Sequence, residues 1–269
     1  MHERTSGVGN RAVTDWNPAH YLTFADLRRR PAADLLARVP LAAPRRIADL
    51  GCGPGNTARL LAARWPEAEL TGVDGSEAML ARAAAEGPPG ARWLRADLAT
   101  WRADAPFDLL FSNAAYQWLE GHGALLPRLL ADLAPGGALA LQMPRNSDAP
   151  SHALMREMAA SGPWAARLAG ALRAEPVAPP ETYHRLLAPL AAAVDVWETT
   201  YLQALEGPDP VLSWTRGTAL LPVAGRLDPE EYASFLAEYG ARLRAAYPPE
   251  PDGRTLFPFR RLFIVALKG

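Results

Sequence analysis

Residues Asp49–Asn56 read Asp-Leu-Gly-Cys-Gly-Pro-Gly-Asn, and no other stretch of the 269 residues restricts the fold as strongly. The loop follows Arg46–Leu50, a short apolar run that reads as a strand. It precedes Asn56–Trp65, where apolar positions recur at helical spacing until Pro66. Glycines at this point let the chain turn tightly and let backbone amides approach a ligand with no Cβ in the way. A strand, a glycine turn and a helix open a βαβ unit. In open sheets of that kind ligands bind at the carboxyl ends of the strands, where strand order reverses.

The alternation continues along the chain. Glu69–Asp74 reads as a second strand, and Ser76–Glu86 as a helix whose first turn suits Ser76 and Glu77. Trp93–Leu94, Phe107–Ser112 and Ala138–Met143 are expected as the third, fourth and fifth strands. Strands alternating with helices predict a doubly wound α/β sheet that is mostly parallel. Further on, Ser151–Ser161 and Pro229–Tyr247 read as helices, and Val194–Tyr201 and Arg261–Leu267 as strands. Prolines between them (Pro176, Pro179, Pro180, Pro208, Pro210) fit loops and short helices. The last two strands would complete a seven-stranded sheet, with about Leu202 to Phe259 forming a helical cap over its carboxyl edge. Ala25–Val39 is expected to be helical up to Pro40. Before it, the polar, aperiodic residues 1–14 are expected to be a disordered leader. Residues 15–269 would then form one domain, with helical insertions at about 146–190 and 203–258.

Spacing and charge decide which ligand the loop suits. A dinucleotide loop is spaced G-x-G-x-x-G, because a pyrophosphate must sit on the helix N-terminus. Gly51, Gly53 and Gly55 are spaced G-x-G-x-G, and Asp49 gives the loop an acidic edge. S-adenosylmethionine carries no phosphate and presents an ammonium, a sulfonium, a carboxylate and a ribose, so it fits such an edge better. Asp74 ends the second strand nineteen residues after Gly55, where a carboxylate can accept ribose hydroxyl hydrogens. NAD also has a ribose, so Asp74 alone does not discriminate; Asp49 and the glycine spacing do.

D-L-G-C-G-P-G-N, V-D-G-S-E-A-M-L, R-A-D-L and F-D-L-L-F-S-N-A resemble the successive motifs of class I, Rossmann-like methyltransferases. That resemblance implies Asp49 near the methionine ammonium, with Gly51 and Gly53 facing the methionine part. It implies Asp74 on the ribose, Met79 against adenine, Asp97 and the Leu98 backbone at the adenine edge, and Asn113 near the methionine end. A narrower likeness runs over nearly the whole chain beyond the leader. Asp15–Phe24 (DWNPAHYLTF), the R-x-R-P of Arg28–Pro31, Gln117–Trp118, Pro150–His152, Trp197–Leu202 and Phe257–Ala266 look like trans-aconitate 2-methyltransferases. The implied reaction moves a methyl group onto one carboxylate of a tricarboxylic acid and releases S-adenosylhomocysteine. No catalytic base is needed, since a carboxylate is ionised at neutral pH. Orientation of one oxygen toward the methyl would suffice, so no residue is expected to act as an acid, base or nucleophile.

Such a substrate calls for cations. Lys268 is the chain's only lysine, and arginine forks bidentately onto carboxylates. Candidates are Arg28, Arg30, Arg260 and Arg261, of which Arg30 and Arg261 stand in motifs that match the family. Trp16, Tyr21 and Trp118 are expected to wall the site. Tyr116 and Arg145 depart from the family pattern; both follow strand ends and could face the substrate, which leaves the exact acceptor open. The alternative acceptor is another small or carrier-bound carboxylic acid, for example a malonyl thioester. An NAD-binding oxidoreductase and a non-catalytic S-adenosylmethionine-binding scaffold are readings from other classes.

Composition narrows the partners. A net charge of −1 leaves no basic excess for nucleic acid or an anionic membrane. There is no run of membrane-spanning length, no apolar core of a signal peptide, and one cysteine, Cys52. His2, His20, His122, His152 and His184 show no ligand spacing, so no metal is expected. A soluble, cytoplasmic, monomeric enzyme is expected.

Overall fold

Each short apolar run of the first half becomes a strand, since branched and aromatic side chains fit a surface that is covered on both faces. A computed structural model describes residues 25–172 and 177–269, with side chains from residue 29 onward. The proposed leader, the segment Asp15–Phe24 with Trp16 and Tyr21, and the Arg28 side chain lie outside the described residues. The first half runs α1 (Ala25–Ala37), β1 (Arg46–Leu50), α2 (Asn56–Arg64), β2 (Glu69–Asp74), α3 (Glu77–Glu86), β3 (Arg92–Arg95) and β4 (Phe107–Asn113). A 3-10 turn (Tyr116–Trp118), α4 (His122–Ala131) and β5 (Leu133–Pro144) follow. Then come α5 (Pro150–Ser161), α6 (Ala165–Leu168), α7 (Pro180–Leu187), β6 (Ala193–Leu205), α8 (Pro210–Arg216), α9 (Leu221–Ala224), α10 (Pro229–Ala246) and β7 (Thr255–Leu267).

As expected, seven strands form one sheet; their order is β3-β2-β1-β4-β5-β7-β6. Strands β1 to β5 pair in parallel, and β7 runs antiparallel between β5 and β6. Strand order reverses between β1 and β4, which opens a crevice at their carboxyl ends. Alternation along the strands sorts their side chains onto two faces. Ile47, Leu109, Phe111, Ala140, Phe263 and Val265 pack with Leu35, Val39, Ala58 and Leu61 of α1, α2 and the turn after α1. Ala48, Leu110, Leu139, Leu141, Leu262 and Ile264 pack on the other side with Leu126 and Leu129 of α4 and with Tyr183 and Leu187 of α7. So α7, inside the stretch expected as an insertion, covers the sheet.

β3 and β4 outrun their expected bounds by a residue at one or both ends, and β5, β6 and β7 do so by much more. β5 starts at Leu133, although Pro135-Gly136-Gly137 reads as a turn. The chain absorbs those residues as an irregularity, with Gly136 at a φ of 74° and a register shift between Phe107 and Leu109. β6 runs on to Leu205 and β7 begins at Thr255, carrying Pro258 in its interior. Proline lacks an N–H, but pairing with β5 ends at Arg261↔Pro144, so at Pro258 the strand has only β6 beside it.

β6 and β7 therefore project beyond the sheet as a two-stranded arm, and the cap is built on that arm. Leu205, Phe257 and Phe259 join Met155, Met158, Trp164, Trp214, Phe235, Tyr239 and Leu243 in a second core. Trp214 stands edge-on to Phe257 and Phe259, with ring centroids 5.9 and 5.3 Å away. Tyr239 Oη donates to the Ser151 carbonyl at 2.6 Å, which ties α10 to the start of α5. Because this core is separate from that of the sheet, Trp214→Ala is expected to lower stability by about 3–5 kcal/mol while cofactor affinity is retained. Denaturant unfolding together with calorimetric titration would check both halves of that expectation.

Candidate active site

The glycine loop wraps the end of β2. Gly51 and Cys52 amides donate to the Val73 carbonyl at 2.7 and 3.1 Å, and the Gly53 amide donates to Asp74 Oδ2 at 2.9 Å. Asp74 Oδ1 accepts from the Ser76 amide at 2.8 Å. Each oxygen of the half-buried Asp74 has the capacity to accept a further hydrogen bond. Gly51 is required by close approach: a Cβ there would lie 2.2 Å from the Ala115 Cβ, and its φ of +77° is left-handed. Leu98 flanks the same spot, its Cδ1 3.5 Å from that position.

Asp49 ends β1 on the α2 side of the sheet and is 1% exposed. Neither carboxylate oxygen has a hydrogen-bond partner among the described residues. Burial, and then the negative charge of Asp74, push its pKa up to about 8; the Ala58 amide dipole offsets part of this without forming a hydrogen bond of good geometry. A buried carboxylate left in this state fits a site for a cationic group.

Asn113, Gln142 and Arg261 share that sheet face with Asp49. Asn113 follows Leu109 and Phe111 in the alternation, Gln142 follows Ala138 and Ala140, and Arg261 precedes Phe263 and Val265. Asn113 and Gln142 are direct ladder partners. Asn113 Oδ1 and Gln142 Nε2 are buried with no partner among the described residues. Arg261, 5% exposed, donates from Nη1 to Gln142 Oε1 at 3.3 Å, and its guanidinium lies 4.5 Å from the Phe259 ring centroid. Across β1-β4-β5-β7 the face thus carries a carboxyl, a carbonyl acceptor, an amide donor and a guanidinium. One half of the face suits a cation and the other an anion.

Tyr201 of β6 stands beside the two arginines. Its hydroxyl donates to Asp34 Oδ2 at 2.6 Å, and the Arg30 guanidinium stands 5.0 Å from its ring centroid. Burial and then Asp34 hold the phenol well above its ordinary range, while the charges of Arg30 and Arg261 work against that shift. Both arginines therefore act on one side chain. Trp118 is 56% exposed, on the turn that follows β4.

The remaining expected residues, Met79 and Asp97, follow β2 and β3 in the chain. Met79 is half-buried in the first turn of α3, with its amide capped by Ser76 Oγ at 3.3 Å. Asp97 is exposed just after β3, in a turn closed by its Oδ1 and the Ala99 amide at 2.9 Å. The next amide back, Ala96, donates to the Asp74 carbonyl at 3.1 Å, which sets this loop beside β2.

Two expectations are corrected. Arg260 does not join Arg261, since alternation turns neighbours to opposite faces. Arg260 pairs with Asp148, and its Nε donates to the Arg145 carbonyl at 2.9 Å. Of the two positions expected to face substrate, Tyr116 is fully buried in the α4-side core, and Arg145 is ion-paired to Glu198 at 3.0 Å. Sequence reasoning missed Gln142, Tyr201, Asp34 and Arg128. Arg128 donates to the Leu98 and Ala99 carbonyls at 3.3 and 2.8 Å and so fixes the loop after β3. It also missed His122, whose Nε2 meets the Tyr116 carbonyl and Nδ1 the Tyr183 hydroxyl, both at 2.8 Å, beneath the turn that carries Trp118. A polar residue in an apolar strand, as Gln142 is in ALALQM, was the available signal. Among the described residues no His, Cys, Asp and Glu group is arranged to hold a metal, and no helix is long and apolar enough to cross a membrane.

Comparison with known proteins matches residues 47–137 to a family model described as a methyltransferase domain. A trans-aconitate 2-methyltransferase of Azoarcus sp. (strain BH72) is 52% identical over 253 residues, covering 94% of this chain and 99% of the relative. One from Methylobacterium nodulans is 53% identical over 255 residues, covering 94% and 98%. Among solved structures, a Haemonchus contortus phosphoethanolamine N-methyltransferase with S-adenosylhomocysteine bound is similar in fold. Its TM-score is 0.55 at 18% identity, covering 89% of this chain and 52% of that one.

The buried Asp49 carboxyl has a direct consequence for stability. Its folded pKa lies above the unfolded value, so its contribution is greatest in acid and is lost as pH rises from about 4 to 8. Asp49→Asn removes the charge at nearly constant volume. The variant is expected to match the parent near pH 4 and to be more stable by about 1–3 kcal/mol at pH 8 to 9, in the absence of cofactor. Melting curves across that range would show it; parallel pH profiles for the two proteins would rule out the buried charge.

Proposed function

Since this chain belongs to the trans-aconitate 2-methyltransferase family, we infer that it transfers the methyl group of S-adenosylmethionine to a carboxylate of trans-aconitate. The products are a monomethyl ester and S-adenosylhomocysteine. The observation that supports the assignment at the level of residues is the divided polarity of one sheet face, with acceptors on β1 and β4 and donors on β5 and β7.

The residues of the first half fit the cofactor. Asp49 would hold the methionine ammonium, with the Gly51 and Gly53 backbone against the methionine part and Asn113 beside it. Asp74 would accept the ribose hydroxyls, Met79 would pack on adenine, and Asp97 with the Leu98 amide would take the adenine edge. S-adenosylmethionine supplies a methyl group on a sulfonium, which passes to a carboxylate oxygen as its bond to sulfur breaks and sulfur becomes a neutral thioether. No proton moves, so the residues need only bind, orient and exclude water.

Arg261, with Arg30 beside the Tyr201 ring, would hold the acid through charge-assisted bonds. Trp16, Tyr21 and Trp118 would wall it. Burial of Arg261 supports that role, since a guanidinium screened from water binds a carboxylate more strongly than an exposed one does. The net charge of −1 supports a small acid rather than a nucleic acid as partner. The proposed working form is a cytoplasmic monomer.

Mass spectrometry of purified protein with S-adenosylmethionine and trans-aconitate, beside cis-aconitate, citrate and isocitrate, tests the assignment. A monomethyl ester formed chiefly from the trans acid is expected; cofactor turnover on a different acid alone would contradict it. In the same assay Arg261→Lys turns a bidentate fork into a point charge. It is expected to raise the KM for the acid about tenfold or more and leave cofactor affinity unchanged. An unaltered KM would remove Arg261 from the site.

A further inference from the structure

Gln142 interrupts an apolar strand with an amide that is 0% exposed. Its Oε1 accepts from Arg261 Nη1, and its Nε2 has no partner among the described residues. Directly across the ladder stands Asn113, whose Oδ1 is an acceptor in the same condition. The two side chains share a sheet face and are complementary, yet they do not bond to each other. A buried polar group carries a desolvation penalty unless it is partnered. A donor and an acceptor that pass each other over are therefore aimed at a ligand lying across both.

On the reading that the substrate is a polycarboxylic acid, we propose that Gln142 is a specificity-determining residue for this reaction. Its Nε2–H donates to the carboxylate that Arg261 also engages, and so selects which carboxylate of the acid meets the methyl group at the β4–β5 boundary. The Arg261 guanidinium bonded to Oε1 fixes the amide plane, which leaves Nε2 as the atom presented to the acid. A neutral donor suits this place. It orients the oxygen without a second full positive charge, which would make that oxygen a poorer nucleophile. It also marks where the cation-binding half of the face ends, since Asn113 on the next strand offers an acceptor.

Two variants test this. Gln142→Leu keeps the volume and removes the donor; Gln142→Glu keeps the shape and replaces the donor with an acceptor. Each is assayed with trans-aconitate, and its methyl esters are separated by position, with the cofactor-induced rise in melting temperature as the control for folding. Both variants are expected to show a KM for the acid raised about tenfold or more and to turn one positional ester into a mixture. Damage to the fold alone would lower the rate and the melting shift without changing the isomer. An unchanged single isomer in a variant that still binds cofactor would overturn the inference, whatever the KM. A parent enzyme that makes no ester of trans-aconitate would instead overturn the assigned reaction, and the role of Gln142 with it.

Discussion

A carboxylate sits at the end of β1 with no hydrogen-bond partner among the described residues, a second carboxylate, Asp74, acts on it, and the crevice is arranged around that pair. Such a charge is unfavourable in a folded chain unless something compensates it. Apolar strands covered on both faces raise that cost, and burial accordingly pushes the carboxyl toward its protonated form. The loop that approaches it is no less constrained, with a left-handed Gly51 against Ala115. Ala114 beside it is left-handed as well, at a φ of 57°, a costly conformation for alanine. It is held by its amide on the Gln142 carbonyl at 2.9 Å and by Gln117 Nε2 on its own carbonyl at 2.7 Å. Strain and an uncompensated charge in the same few residues are what a preorganised binding site is expected to show.

Strand alternation and strand order together convert this local feature into a division of labour. Acceptors lie on β1 and β4, where the order of the sheet reverses, and donors on β5 and β7. The antiparallel insertion of β7 is what brings a guanidinium to the carboxyl edge, because its amino-terminal half passes there. The same insertion lets β6 and β7 extend beyond β5 and support the cap from an aromatic core of its own. One topological choice thus supplies both a guanidinium at the carboxyl edge and the frame of the cap.

Much of this was legible in the sequence. The first two strands matched to the residue, because Arg46–Leu50 and Glu69–Asp74 are bounded by clear turn chemistry. The glycine loop, Asp49, Asp74, Asn113 and Arg261 follow from motif and position. Pro258 and the Pro135-Gly136-Gly137 run hid the true lengths of β7 and β5, since local rules read breakers where tertiary pairing tolerates them. Arg260 and Arg261 are both candidates by sequence, with Arg261 favoured by motif, and alternation along β7 turns them to opposite faces. Tyr116, next to a strand end, reads as a possible site residue and is core, because the 3-10 turn rotates it inward against α4. Asp34 and Tyr201 lie 167 residues apart in sequence, and nothing local announces their contact.

The claim on which the rest stands is that Asp49 is a largely protonated acid that ionises to receive the cofactor's ammonium. Calorimetric titration of the protein with S-adenosylmethionine between pH 6 and 7, in buffers of different ionisation enthalpy, addresses it directly. In that range an α-amino group is already charged, so any proton released on binding comes from the protein. With Asp49 near pKa 8, release of close to one proton per cofactor is expected, and affinity should weaken up to about tenfold per unit fall in pH. Binding that releases no proton and is indifferent to pH over that range would contradict the claim.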